Sequence, residues 1–177
     1  MSTVASRPIV LVGMMGAGKT SVGRVLASRL EVPFIDLDEE VERRTGRRVA
    51  EIFGAEGEGA FRALESRVLA DVLGDAQAPV VLSTGGGVVT TAHNRQLLAD
   101  PRFDVVLLEA SIDELSTRLP SDDARPLLRG DRREVLLSLW QEREVDYRTV
   151  AKVVVSTSGL SIDQVAQTVL RELRVAV

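Results

Sequence analysis

The stretch Gly13-Met14-Met15-Gly16-Ala17-Gly18-Lys19-Thr20 constrains this chain more than any other. It fits G-x-x-x-x-G-K-[S/T], and the flanking residues suit that pattern. Ile9-Val10-Leu11-Val12 before it is short, apolar and β-branched, which predicts a strand. Ser21 to Leu30 after it places Val22, Val25, Leu26 and Leu30 at helical spacing. Strand, glycine turn and helix together make an anion site. Glycines let backbone N–H groups converge without Cβ clashes, and the helix start adds its positive end. The pattern puts Gly13, Gly16, Ala17, Gly18, Lys19, Thr20 and the adjoining Ser21 around a triphosphate. Lys19 would reach the β- and γ-phosphates, and the Thr20 hydroxyl would ligate Mg2+. Lys19 is one of two lysines, with Lys152, against twenty arginines, so a compact ammonium is kept where the pattern calls for one.

Composition narrows the alternatives. The length, 177 residues, suits one domain with a full core. A net charge of −4 argues against an extended nucleic-acid-binding face. With no cysteine and one histidine, disulfides, thiol chemistry and zinc centres are not expected. No apolar run approaches the roughly 20 residues of a membrane span. Met1 to Pro8 lacks the apolar core of a signal peptide, so the expectation is a cytoplasmic protein with no membrane association.

Further along, Val32 to Asp36 predicts a second strand ending in Asp36-Leu37-Asp38. If extended geometry continues, both carboxylates point to one side, at the carboxyl end of a strand where open α/β sheets bind ligands. The alternative is that Asp38 caps a helix beginning near Glu39. A short helical piece at Val49 to Phe53 and a loop at Glu56 to Gly59 precede a long helix, about Ala60 to Leu73. Its Arg62 is either a ligand residue or a solvated residue paired with a nearby glutamate. Pro79 to Ser83 predicts a strand buried on both faces. Gly85-Gly86-Gly87 follows it, as a flexible turn or as a place of close approach. Phe103 to Leu108 predicts a fourth strand, and Ser111 with Glu114 a capping box. The polar segment Pro120 to Pro126 carries Arg125 and suits either a surface connection or a lid. Asp131 to Tyr147 predicts a helix, Ala151 to Val155 a fifth strand, and Ser161 to Leu173 a last helix. His93 and Trp140 are expected on the surface and in the core. Five strands alternating with helices imply a single α/β domain with a mainly parallel sheet.

Taken together, G-M-M-G-A-G-K-T at Gly13 to Thr20, D-L-D at Asp36 to Asp38 and F-R-A-L-E at Phe61 to Glu65 resemble the shikimate kinase family of P-loop kinases. G-G-G at Gly85 to Gly87, A-R-P-L-L at Ala124 to Leu128 and Y-R at Tyr147-Arg148 extend the resemblance over Ile9 to Leu173. It implies a three-layer P-loop fold over residues 1–177, with a five-stranded parallel sheet in the order 2-3-1-4-5. It also implies an acceptor-binding region at about 37–65 and a lid at about 119–130. The implied reaction moves the γ-phosphoryl group of ATP to the 3-hydroxyl of shikimate, on the route to chorismate and aromatic amino acids. By the same resemblance, Lys19, Asp38 and Arg125 are catalytic, and Thr20 and Asp36 hold Mg2+. Asp38, Arg62, Gly85, Gly86, Gly87 and Arg148 bind shikimate, the two arginines through its carboxylate. Arg118 packs on adenine, with Ser156 and Thr157 flanking the base. The family is usually monomeric. The competing readings are a kinase of the same fold acting on gluconate or a nucleotide, and a nucleotide-binding module without turnover.

Overall fold

The apolar run before the glycine loop forms the middle of the sheet. The computed structural model describes residues 7–74, 78–119 and 131–175. In chain order the elements are β1 (Ile9–Val12), α1 (Lys19–Leu30), β2 (Phe34–Asp36), α2 (Leu37–Thr45) and α3 (Val49–Gly74). Then come β3 (Val81–Ser83), a 3-10 turn at Val88–Thr90, α4 (Ala92–Leu98), β4 (Asp104–Glu109) and α5 (Ile112–Arg118). The chain closes with α6 (Arg132–Val150), β5 (Val153–Ser156) and α7 (Ile162–Glu172). The five strands are parallel, in the order β2-β3-β1-β4-β5, as the resemblance implies.

This order explains the layers. The connection from β1 to β2 runs one way along the sheet, and every later connection runs the other way. With right-handed crossovers, that reversal puts α1 on one face and α3, α4 and α6 on the opposite face. Packing agrees: α7 lies against α1, while α4 touches both α3 and α6. Covered on both sides, β1 is buried throughout, and β4 is buried from Val105 to Leu108.

Two registers bring the functional loops to one level. Leu11 pairs with Ser83, and Ser83 pairs with Asp36, so β1, β3 and β2 end side by side. Beyond β3 the ladder continues for one residue, with Thr84 donating to the Leu11 carbonyl through its N–H (3.2 Å) and its hydroxyl (2.9 Å).

The structure corrects the local reading at D-L-D. Extended geometry stops at Asp36, which is itself the N-cap of α2 and accepts from the N–H groups of Asp38 and Glu39. Asp38 therefore sits in the first helical turn, neither the cap nor a strand neighbour of Asp36. The loop expected at Glu56 to Gly59 narrows to a break at Gly57 (φ 83°) inside α3. The capping box at Ser111 and Glu114 is present, and Ser161 forms another with Gln164. His93 is exposed. Trp140 is only half-buried and stacks on Tyr147, with ring centroids 6.0 Å apart.

Candidate active site

The loop between β1 and α1 is set by its glycines. Gly13, Gly16 and Gly18 all have positive φ. At Gly13 (φ 139°) a Cβ would stand 2.3 Å from the Leu108 carbonyl oxygen, so the turn also depends on contact with β4. Lys19 opens α1 and is buried, its Nζ donating to the carbonyls of Gly13 (2.7 Å) and Met14 (2.9 Å). The Thr20 hydroxyl donates to Asp36 Oδ2 at 2.8 Å, and Ser83 Oγ lies 3.3 Å from it.

This loop forms one wall of a cleft of about 1010 Å3. Of the residues expected to meet ATP and described in the structure, Gly16 to Ser21, Arg118 and Thr157 line it. Gly13 lies behind that wall and shapes it. Arg118 is fixed at the far end by Thr157, whose hydroxyl (2.9 Å) and carbonyl (3.1 Å) both accept from it. Ser156 is exposed and lies outside the cleft lining. Arg125 and the segment 120–130 lie outside the described residues.

The opposite wall is made of side chains from α2, α3 and α6 and of the glycine triplet after β3. Arg62 of α3 donates to Glu65 (2.7 Å) and Glu58 (3.1 Å) and lies over the rings of Phe61 and Phe53. Its expected pairing with a nearby glutamate and its place in the cleft are thus both realised. Glu65 is 0% exposed. Burial pushes its pKa up to about 6, with Arg62 opposing and Asp38 adding to the rise. Burial and the charge of Asp36 also raise Asp38, against the pull of Lys19 and Arg62.

Close approach explains the three glycines. A Cβ on Gly85 would come within 2.7 Å of Glu65 Oε1 and 3.0 Å of Asp38 Oδ1. One on Gly86 would press on the Met15 N–H at 3.2 Å, and one on Gly87 would overlap the Arg62 guanidinium at 2.0 Å. The triplet is thus a thin partition between the phosphate loop and the Arg62 corner.

Arg148 does not belong to this wall. It is exposed, with Nη2 donating to Glu109 at 2.5 Å and Nε to Glu144 at 3.0 Å, and it lies over Trp140. The arginine that α6 turns into the cleft is Arg143, which is 3% exposed and donates to the Gly86 carbonyl at 3.3 Å. Helical geometry is the reason: Arg143 is four residues before buried Tyr147 and shares its face, whereas Arg148 is turned about 100° from Tyr147. The sequence carried a signal for this. Leu136, Arg143, Tyr147 and Val150 form the buried stripe of α6, and an arginine on an apolar stripe needs a partner.

Asp38 Oδ1, Glu65 Oε1 and Arg143 Nε, three of the five buried polar side-chain atoms without a partner among the described residues, gather here. Unpaired buried polar atoms are costly. Asp38 and Arg143 line the cleft, where they suit a ligand with both hydroxyls and negative charge, while Glu65 lies behind the lining. The Thr20–Asp36 pair suits a Mg2+-type cation that keeps several waters and takes few protein oxygens. No cluster of three His, Cys, Asp or Glu that could hold a metal occurs among the described residues, so phosphate oxygens would complete its coordination.

The family model for shikimate kinase matches residues 15–174. A shikimate kinase of Thermobifida fusca is 44% identical over 174 residues, covering 98% of this chain and 99% of that protein. One of Chromobacterium violaceum is 47% identical over 154 residues, 86% and 82% of the two chains. A solved shikimate kinase from Acinetobacter baumannii in complex with shikimate has a TM-score of 0.90 at 38% identity, covering 96% of this chain and 94% of that one. A gluconokinase from Sinorhizobium meliloti, at 20% identity and a TM-score of 0.66, has the same fold.

Proposed function

The chain belongs to the shikimate kinase family, and we propose that Lys19, Asp38, Arg62 and Arg143 carry its reaction. That reaction is the transfer of the ATP γ-phosphoryl group to the 3-hydroxyl of shikimate, giving shikimate 3-phosphate and ADP. It is a step towards chorismate and the aromatic amino acids. One observation carries the division of roles: a single cleft joins Lys19 and Thr20 to Asp38, to buried Arg143 and to half-buried Arg62.

Each role follows from chemistry. The loop N–H groups and Lys19 take the phosphates, and Arg118 with Thr157 takes the base. Arg62 and Arg143 take the planar carboxylate of the acceptor, which guanidinium groups match in shape and charge. Asp38 accepts the hydrogen bond of the 3-hydroxyl. As the new O–P bond forms and the bond to the ADP oxygen breaks, that proton passes to the Asp38 carboxylate. Burial, by raising Asp38, makes it a better acceptor of that proton than an exposed aspartate. Gly85 to Gly87 leave room for the ring. Phosphoryl transfer has a loose transition state, so positioning and charge stabilisation do most of the catalysis.

Thr20 and Asp36 would hold Mg2+, which when bound neutralises phosphate charge. Arg125 and the lid at about 119–130 enter from the family resemblance alone, as does the acceptor-binding region at about 37–65. The proposed setting is a cytoplasmic monomer of one kinase domain. The monomer enters from the family resemblance, and the cytoplasmic setting is supported by ATP being a cytoplasmic substrate. Among the described residues no helix is long and apolar enough to cross a membrane.

ADP release from Mg-ATP is the test, with shikimate, gluconate or nucleoside monophosphates as acceptor. Release that depends on shikimate alone supports the reading. Turnover with gluconate instead would overturn the acceptor, and ATP binding without turnover would favour the non-catalytic module.

A further inference from the structure

Tyr147 has no part in the chemistry above, yet it is 0% exposed and set among groups that have one. Its hydroxyl donates to the Gly86 carbonyl and lies 3.9 Å from the Met14 sulfur of the phosphate loop. Burial pushes the phenol pKa upward, so it remains a donor. The same carbonyl accepts from Arg143 at 3.3 Å, a long bond, while Arg143 Nε has no partner among the described residues. Only a glycine fits at this position without pressing on the phosphate loop, since a Cβ on Gly86 would stand 3.2 Å from the Met15 nitrogen.

We propose that Tyr147 is a positioning residue: its hydroxyl holds the Gly86 carbonyl, leaving Arg143 turned towards the acceptor carboxylate. A buried carbonyl needs a donor. Without the phenol hydroxyl, Arg143 is the only donor to it among the described residues, and the guanidinium is drawn onto Gly86 and away from the acceptor. Stacking on Trp140 keeps the ring in place when only the hydroxyl is removed. The proposal rests on the reading of Arg143 as a carboxylate ligand.

The test is a double-mutant cycle of Tyr147→Phe and Arg143→Ala, read as KM for shikimate, KM for ATP and kcat. Val150→Ala, at a buried site on the same helix, controls for general loosening of α6. Loss of one positioning hydrogen bond predicts that Tyr147→Phe raises the shikimate KM about three- to tenfold. The ATP KM stays within about twofold, and the effect disappears in the Arg143→Ala background. Equal rises in both KM values, independent effects in the double variant, or the same shikimate rise in Val150→Ala would overturn it. If Arg143→Ala raises the shikimate KM and Tyr147→Phe does not, the positioning role alone falls. If Arg143→Ala leaves that KM unchanged, the carboxylate assignment falls first.

Discussion

Around Gly13 to Thr20 the cleft wall is chiefly main chain, from one continuous stretch, its shape set by positive-φ glycines. Across the cleft, Asp38, Arg62 and Arg143 come from three helices, with Glu65 buried behind them; Arg143 is buried as well, and Asp38 and Arg62 are half-buried. In the proposed assignment the first wall takes what every nucleoside triphosphate shares. In the same assignment the second distinguishes one acceptor from another, and it keeps charged groups together at a cost in stability that a ligand can relieve. Generic chemistry is local in this chain, and specific chemistry is assembled by the fold.

Mutations on the two sides should separate these roles. The largest effect is expected from Asp38→Asn, which keeps the shape but removes the proton acceptor. Its kcat should fall about a hundred- to ten-thousandfold with ATP binding retained; wild-type turnover would remove Asp38 from the chemistry. Lys19→Met, on the main-chain side, should lower kcat with shikimate about a hundred- to a thousandfold and leave shikimate affinity little changed. A loss confined to shikimate affinity would blur the two walls. Arg62→Ala should weaken shikimate roughly ten- to a hundredfold, as for a lost charge-assisted pair, and change ATP affinity little. Isothermal titration with each ligand separately reads this, and equal losses would contradict the assignment.

The smallest effect concerns stability. The Glu65 pKa is raised from 4.5 to about 6, so the folded state holds that proton more tightly than the unfolded one. Stability is therefore highest below pH 4.5 for this group and is lost as pH rises through 6, by about 2 kcal/mol. The raised Asp38 acts in the same direction. Denaturant unfolding between pH 4.5 and 7 should show a shallower decline in Glu65→Gln, whereas a wild-type slope would place the linkage elsewhere.

How far the sequence could be read follows the same division. Short continuous apolar runs mark the strands, and the glycine loop marks its site, because both are local patterns. The strand order came from resemblance, since periodicity carries no information about which strands pair. Asp36 and Asp38 were visible as a pair, but not that the helix begins between them, because the capping hydrogen bonds decide that boundary. Arg148 stood beside Tyr147 in a recognisable pair of letters. Which arginine of α6 faces inward depends on helical phase, and Arg143 has it.

The most direct test of the assembled wall is shikimate affinity in Arg143→Ala and Arg148→Ala, measured side by side by calorimetry. The account predicts a loss of roughly ten- to a hundredfold for Arg143→Ala, a lost buried charge-assisted contact. It predicts a change of under about twofold for Arg148→Ala, whose exposed ion pairs contribute little. A large loss in Arg148→Ala with Arg143→Ala near wild type would contradict it and return the acceptor carboxylate to the outer face of α6.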